Sequence, residues 1–259
     1  MAAVSSRSSC VLSCQDVSVR FGAFQAVNNV SLDLAAGQTL ALIGPNGAGK
    51  TTLINAISGR VSLAAGRIRL GDADITRMPV HRRAAAGLGR SFQIINIFDQ
   101  MTVLENLRLA AQSRAFRWQP CWRPVSAWPM LDRRAREVAS LVGLEAELDL
   151  PVTMLSHGKQ RAVELGLALI PDPKVLLLDE PLAGIGYAEI EPTMALLQQV
   201  RKGRSVLLVE HNMDVVDKIA DEIVVMVGGE VLLRDRPSAI WNNAEVRRLY
   251  LGSEVAGHA

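Results

Sequence analysis

Cysteine, aromatic residues and net charge are all scarce in this sequence. Among 259 residues there are three cysteines (Cys10, Cys14 and Cys121), 4% aromatic residues and a formal net charge of +2. Three cysteines without metal-finger spacing argue against a zinc finger and a disulfide framework, and they favour a reduced, cytosolic setting. A charge this small does not indicate nucleic acid as the main partner.

Long hydrophobic runs are absent as well. No segment approaches the roughly 18 uninterrupted apolar residues of a membrane-spanning helix. The longest runs, such as Val175–Leu178 and Ile223–Val227, have the length of buried strands. Residues 1–13 are rich in serine and lack the apolar segment of a secretion signal, so we expect a flexible tail there. We expect the chain to sit on a membrane only by binding something already there.

What the sequence does contain is a glycine-rich stretch between a strand and a helix. Thr39–Ile43 is an apolar run suited to a buried strand, and Lys50–Ser58 has helical apolar spacing that Gly59 ends. The stretch between them fits the phosphate-binding pattern G-x-x-x-x-G-K-[ST] in the context that this pattern requires. The predicted nucleotide-binding residues are Gly44, Pro45, Asn46, Gly47, Ala48, Gly49, Lys50, Thr51 and Thr52.

The chemistry of this loop follows from its residue types. Glycines let consecutive backbone N–H groups surround phosphate oxygens, and the helix N-terminus adds partial positive charge. Lys50 is expected to reach the β- and γ-phosphates, and the Thr51 hydroxyl to ligate Mg²⁺. The alternative is a glycine-rich turn that fits by accident, which happens roughly once in a hundred sequences of this length.

Alternating apolar residues predict an antiparallel β portion before the loop, over residues 17–21 and 30–34. Phe21 in this portion could stack on a nucleotide base, and an ordinary core or surface aromatic is the alternative. Val224–Val227 and Val231–Leu233 predict a hairpin with a Gly228-Gly229 turn.

Capping signals predict the helices of the middle of the chain. Thr102 and Glu105 form a capping-box pattern for a helix from Val103 to about Gln112. Further helices are predicted over 133–142 and 161–170, the latter with Ser156 as a natural N-cap before it. Residues 113–130 hold three tryptophans and three prolines among arginines. A membrane-surface or partner contact and a surface insertion are equally open for them.

Two carboxylates and a histidine follow predicted buried strands. Asp179 and Glu180 end the run that begins at Val175, and Glu210-His211 follow Ser205–Val209. Parallel strands bring such residues to the sheet edge where the phosphate loop also lies. Asp179 is then placed to hold the Mg²⁺ shell and Glu180 to polarise an attacking water. Two solvated acids at a strand end, and a structural histidine, are the alternatives.

The order of these motifs resembles the ATP-binding subunit of ABC transporters, from about residue 12 to residue 252. The resemblance implies an α/β fold with a P-loop NTPase (RecA-like) core, an antiparallel β portion and an inserted α-helical subdomain at about 94–160. Residues 1–11 and 253–259 would be flexible tails around this single domain.

The resemblance also implies ATP and Mg²⁺ as ligands and a role for each matching residue. Residues 44–52 match the Walker A loop, and His157 and Gly186 depart from the glycine and aspartate that most members have at those positions. Phe21 matches the adenine-stacking aromatic, and Gln93 matches the Q-loop glutamine near Mg²⁺ and the attacking water. Ser156 and Gly158 match the signature motif, which contacts the γ-phosphate held by the opposite subunit. Asp179 matches the Walker B aspartate, Glu180 the catalytic glutamate and His211 the switch histidine.

Several segments, among them EPLAGIG and VEHNMDVV, look like the importer ATPases for branched-chain amino acids, or for related amides and urea. The lipopolysaccharide-export ATPase is a neighbouring look-alike. This resemblance implies two permease subunits, a second ATPase subunit, indirectly a periplasmic binding protein, and a place at the cytoplasmic face of the inner membrane. A cytosolic ABC-type ATPase with a mechanical or regulatory role is the alternative, although the chain has neither a long coiled-coil insertion nor a second cassette.

Overall fold

A computed structural model describes residues 10–91, 97–115 and 128–255, except for the side chains of 113–115 and 250–255. The chain divides into two compact units. One combines the chain up to Arg83 with the chain from Gly203 onward, and the other is Ala84–Lys202. The helical subdomain proposed at about 94–160 falls within the second unit. Among the described residues, no helix has the length and apolar character needed to cross a membrane.

The first unit combines two groups of strands with short helices. Its elements are β1 (Cys10–Phe21), β2 (Phe24–Ala35), β3 (Thr39–Ile43), α1 (Lys50–Ser58), β4 (Ala65–Leu70), β5 (Ala73–Asp74), α2 (Val80–Ala85), β8 (Ser205–Val209), α7 (Met213–Ile219), β9 (Glu222–Val227), β10 (Glu230–Asp235), α8 (Pro237–Asn242) and α9 (Ala244–Val255).

The elements of the second unit are mostly helical. They are β6 (Leu88–Arg90), α3 (Val103–Ala115), α4 (Pro129–Leu141), α5 (His157–Leu169), β7 (Val175–Asp179) and α6 (Tyr187–Val200), with 3-10 turns at Glu145–Glu147 and Val152–Met154. β6 and β7 are parallel, and Arg90 lies opposite Leu177.

The predicted antiparallel portion forms a sheet with the order β2-β1-β4-β5. β1 and β2 pair along their whole length, with Leu12 opposite Leu34 and Val17 opposite Val30. All four of these side chains are buried. The antiparallel pairing predicted from the sequence is therefore confirmed. Phe21, which the alternation over residues 17–21 placed with Val17 and Val19, is instead exposed, because β1 ends there at the hairpin turn and its register shifts along the strand.

The predicted apolar runs form parallel strands. β3 pairs in parallel with β8 on one side and β9 on the other, while β10 returns antiparallel beside β9. Every residue of β3 and β8 is buried, as expected for strands covered on both faces. Ile43 and Val225 of this sheet pack with Val216 of α7 and Ile240 of α8.

The helix starts follow their capping signals. The Thr102 backbone N–H donates to Glu105 Oε2 at 2.9 Å, and the Glu105 N–H donates to Thr102 Oγ1 at 3.2 Å, so the capping box forms. Helix α3 then continues beyond the predicted Gln112 to Ala115. Helix α4 begins at Pro129, earlier than the predicted residue 133, because proline suits the first turn of a helix. Residues 116–127 of the tryptophan-rich stretch lie outside the described residues.

Candidate nucleotide site

The phosphate loop is a tight turn between β3 and α1 that requires glycine. Gly44 and Gly49 have φ values of 149° and 96°. A Cβ added to Gly44 would lie 2.1 Å from the Met226 carbonyl oxygen, and one on Gly49 would lie 2.5 Å from the Ala26 carbonyl oxygen. The loop backbone is therefore pressed against β9 and β2, and only glycine fits at these two positions.

Lys50 holds its ammonium group inside this loop. The side chain is buried, and Nζ donates to the carbonyl oxygens of Gly44 at 2.7 Å and Pro45 at 3.0 Å. Gly49 is the N-cap of α1, and no side chain caps this helix. The loop thus combines a lysine cation and a helix N-terminus without a side-chain cap with an exposed middle at residues 45–47, and these are the donors that phosphate requires.

Mg²⁺ is bound by oxygen ligands, and the described residues offer two candidate side chains for it. The Thr51 hydroxyl is half-buried at the first turn of α1, and Asp179 ends β7. The described residues contain no cluster of three or more His, Cys, Asp or Glu that could hold a metal ion. Each of the two side chains supplies an oxygen ligand of the kind that Mg²⁺ prefers, and this ion usually takes its remaining ligands from phosphate and water.

Phe21 lies at the end of β1, at the turn of the β1–β2 hairpin. The ring is 52% exposed, and its backbone is opposite Phe24 across the turn. Backbone hydrogen bonds tie β2 and the β9–β10 turn to the loop, from Asn28 N–H to the Gly229 carbonyl at 2.8 Å and from Gly229 N–H to the Ala48 carbonyl at 3.1 Å. An exposed aromatic ring on the strand pair that is tied to the phosphate loop is a candidate for base stacking.

His211 reaches the same edge of the sheet as the loop. Leu42 of β3 lies opposite Val209 of β8, so both strands deliver their following residues to one edge. The backbone N–H of His211 donates to Glu210 Oε2 at 3.0 Å, and Glu210 is buried. This contact fixes the turn, while the His211 side chain is exposed.

Asp179 and Glu180 differ sharply in their surroundings. Asp179 is 1% exposed, and its Oδ2 lies 3.2 Å from Nη2 of Arg90, a buried partner that sequence reasoning missed. Glu180 is half-buried with a φ of 50°. A left-handed backbone at a non-glycine residue costs about 1–3 kcal/mol, and such strain is concentrated at functional sites.

Ser156 and Gly158 form the first turn of α5. The Ser156 Oγ accepts a hydrogen bond from the Lys159 N–H at 3.4 Å, which confirms the predicted N-cap. The Gly158 N–H donates to Oε2 of Glu189 at 3.1 Å. A hydrogen bond from the Ser156 hydroxyl is the main reason that the pKa of Glu189 is lowered, with the Gly158 N–H adding to it.

The predicted residues thus fall into two sets. The first unit contains residues 44–52, Phe21 and His211. The second unit carries Asp179 and Glu180 at the end of β7 and Ser156 and Gly158 at the start of α5. Gln93 lies outside the described residues, so its placement stays a prediction.

The sequence is similar to those of known ABC transporter proteins. The model of the family described as "ABC transporter" matches residues 27–183. The high-affinity branched-chain amino acid transport ATP-binding protein LivG of Escherichia coli (strain K12) is 36% identical over 252 residues, which cover 93% of this chain and 98% of LivG. A probable LivG of Archaeoglobus fulgidus is 33% identical over 247 residues, covering 94% of this chain and 96% of the relative.

Solved structures of ABC transporter proteins are also similar to this chain. The ADP conformation of MJ1267, described as an ATP-binding cassette of an ABC transporter, is 28% identical with a TM-score of 0.81 and covers 94% of this chain and 99% of its own. The cbiO1 protein of Clostridium perfringens, described as part of an ABC transporter complex, is 25% identical with a TM-score of 0.78 and covers 96% of this chain and 98% of its own. These neighbours confirm the predicted α/β P-loop NTPase fold.

Proposed function

Because this chain belongs to the ABC transporter family, we infer that it is the ATP-hydrolysing subunit of an importer for branched-chain amino acids. The observation that carries this proposal is the match to LivG over 98% of that relative's length. The chain itself is an ATPase of this family.

The phosphate loop supplies the nucleotide site of the proposed ATPase. Lys50 would give up its contacts with the Gly44 and Pro45 carbonyls for the β- and γ-phosphates, since a charge-assisted hydrogen bond to phosphate is stronger than one to a neutral carbonyl. Phe21 would stack on adenine. Thr51, Asp179 and Gln93 would hold Mg²⁺, which neutralises charge on the β- and γ-phosphates.

Glu180 is the proposed general base. Its carboxylate would accept a proton from the water that attacks the γ-phosphorus, and its strained backbone supports a functional role. The Arg90 contact with Asp179 supports a fixed orientation for the neighbouring carboxylate. His211 would contact the γ-phosphate from the end of β8.

The proposed active unit contains two chains placed head to tail. Ser156 and Gly158 of one chain would contact the γ-phosphate held by the Walker A loop of the other, and the second chain is either a copy of this one or a related ATPase. Closure on ATP would drive two permease subunits, and hydrolysis would reset them. The chain would bind these permeases at the cytoplasmic face of the inner membrane, with a periplasmic binding protein delivering the solute.

The Glu180→Gln variant tests this proposal. In cells that lack their own copy of the gene, the parental chain should restore uptake of labelled leucine, isoleucine and valine, whereas Glu180→Gln should not. The purified variant should bind ATP as the parent does and hydrolyse it at least about a hundredfold more slowly, as expected for loss of a general base.

Two results would contradict the proposal. Parental turnover by Glu180→Gln would remove the catalytic assignment. Unchanged branched-chain uptake in the deleted cells, with the chain recovered on ribosomes or DNA instead of with permeases, would exclude the transport role.

A further inference from the structure

The carboxylate of Glu189 lies on the first turn of α5. Glu189 belongs to the first turn of α6, and its Oε2 accepts the Gly158 N–H at 3.1 Å. The Ser156 hydroxyl and, after it, the Gly158 N–H hold the pKa of this carboxylate below its usual range. The N-terminal turn of α5 is therefore engaged by an anion of the same chain, as helix N-termini favour.

This contact depends on close approach at Gly158. A Cβ at that position would lie 2.9 Å from Cδ and 3.0 Å from Oε1 of Glu189. Any larger residue would push the carboxylate away from the amide. Glycine at position 158 therefore lets the Glu189 carboxylate reach the Gly158 backbone N–H directly.

A cavity beside this contact offers the carboxylate room to move. It has a volume of about 430 Å³ between the end of α4, the start of α5 and most of the length of α6, from Glu189 to Gln199. Its lining includes Ser156, Gly158, Lys159 and Glu189 itself. Glu189 can therefore leave the α5 turn without unfolding α6. Lys159 lines the same cavity, and its ammonium group is paired with Glu147.

We propose that Glu189 is a specificity-determining residue, which occupies Ser156 and Gly158 until the γ-phosphate held by a second copy of this chain displaces it. This inference rests on the proposed function. A terminal phosphate carries more negative charge than a carboxylate and offers three acceptor oxygens, so it can take over the same donors. ADP has no γ-phosphate and leaves Glu189 in place, so closure of the dimer becomes dependent on ATP.

The Glu189→Gln variant tests this role in a Glu180→Gln background, where ATP is not consumed. Glutamine keeps the size of the side chain and removes the charge that competes with phosphate. We expect the dissociation constant of the ATP-dependent dimer to fall about tenfold, because two sites each contribute roughly threefold. Sedimentation velocity gives this constant, and ATP binding to the isolated chain should be unchanged.

Two further variants make the test specific. Glu191→Gln changes the same charge on an exposed residue of the same helix and should leave the dimer constant at its parental value. Glu189→Ala removes the competing group altogether and should tighten the dimer at least as far as Glu189→Gln.

The outcomes separate this inference from the proposed function. A Glu180→Gln chain that forms no dimer with ATP overturns a composite site made by two copies of this chain, and the role of Glu189 with it. A Glu180→Gln chain that dimerises, with both Glu189 variants equal to the Glu191 control or weaker than it, overturns the role of Glu189 alone.

Discussion

Lys50 illustrates how single side chains are prepared for a phosphate before one is bound. Its ammonium group is buried and donates to two carbonyls of its own loop, at 2.7 and 3.0 Å. A buried cation is stable only with such partners. Neutral carbonyls are weaker partners than a phosphate, so the same side chain can transfer to the nucleotide at little cost.

Phe21→Ala tests base stacking at the residue scale. We expect ATP affinity to fall about fivefold to tenfold, since an aromatic stack contributes roughly 1 kcal/mol. Phe98→Ala is the matched control, because that ring is 57% exposed but belongs to the second unit. Titration with a fluorescent ATP analogue measures both variants, and a Phe21→Ala affinity equal to the control would exclude stacking.

The contacts of individual candidate residues were predictable where a local sequence pattern defines them. Lys50 and Ser156 lie in motifs whose neighbours in sequence are also their partners in space. Arg90 and Glu189 escaped prediction because their contacts join distant segments, Arg90 with Asp179 and Glu189 with Gly158. Neither hydrophobic periodicity nor motif spacing in a single sequence predicts a contact between such distant segments.

Helices and strands also differ in how well the sequence predicts them. β3, β7, β8 and α1 were predicted at their observed positions, since an uninterrupted apolar run or a 3.6-residue period identifies them without tertiary information. Helix α6 was missed. It contains Pro192 and only a few buried residues, so its apolar period is faint. Helices α2 and α8 are too short for a period to be seen.

Arg83 holds the end of α1, and its removal tests this at the scale of elements. The guanidinium is buried and donates to the Ala56, Ile57, Thr76 and Met78 carbonyls at 2.7–2.9 Å. Arg83→Met should lower the free energy of unfolding by about 3 kcal/mol, because it leaves buried carbonyls without donors.

Urea denaturation measures the effect of Arg83→Met. Arg82→Met serves as the control, since Arg82 is exposed on the same short helix and its loss should cost less than about 0.5 kcal/mol. Equal unfolding midpoints for the two variants would mean that Arg83 does not stabilise the end of α1.

At the scale of the whole molecule, the candidate residues lie in two compact units of one chain. The phosphate loop, Phe21 and His211 belong to one unit, and the α5 turn with Ser156 and Gly158 belongs to the other. The α5 turn already holds an anion, the Glu189 carboxylate. We propose that this turn serves the nucleotide of a second chain, so that neither chain hydrolyses ATP efficiently alone.

Mixing two inactive variants tests this central claim most directly. Lys50→Ala removes the phosphate-binding cation, and Ser156→Asp keeps a good N-cap for α5 but places a negative charge against the γ-phosphate. Each variant alone should hydrolyse ATP at less than about a tenth of the parental rate, as expected for loss of a phosphate contact. An equal mixture should recover up to about a quarter of the parental rate, because half of the dimers are mixed and each holds one intact composite site. A mixture that stays as inactive as its components, although mixed dimers form, would contradict the account.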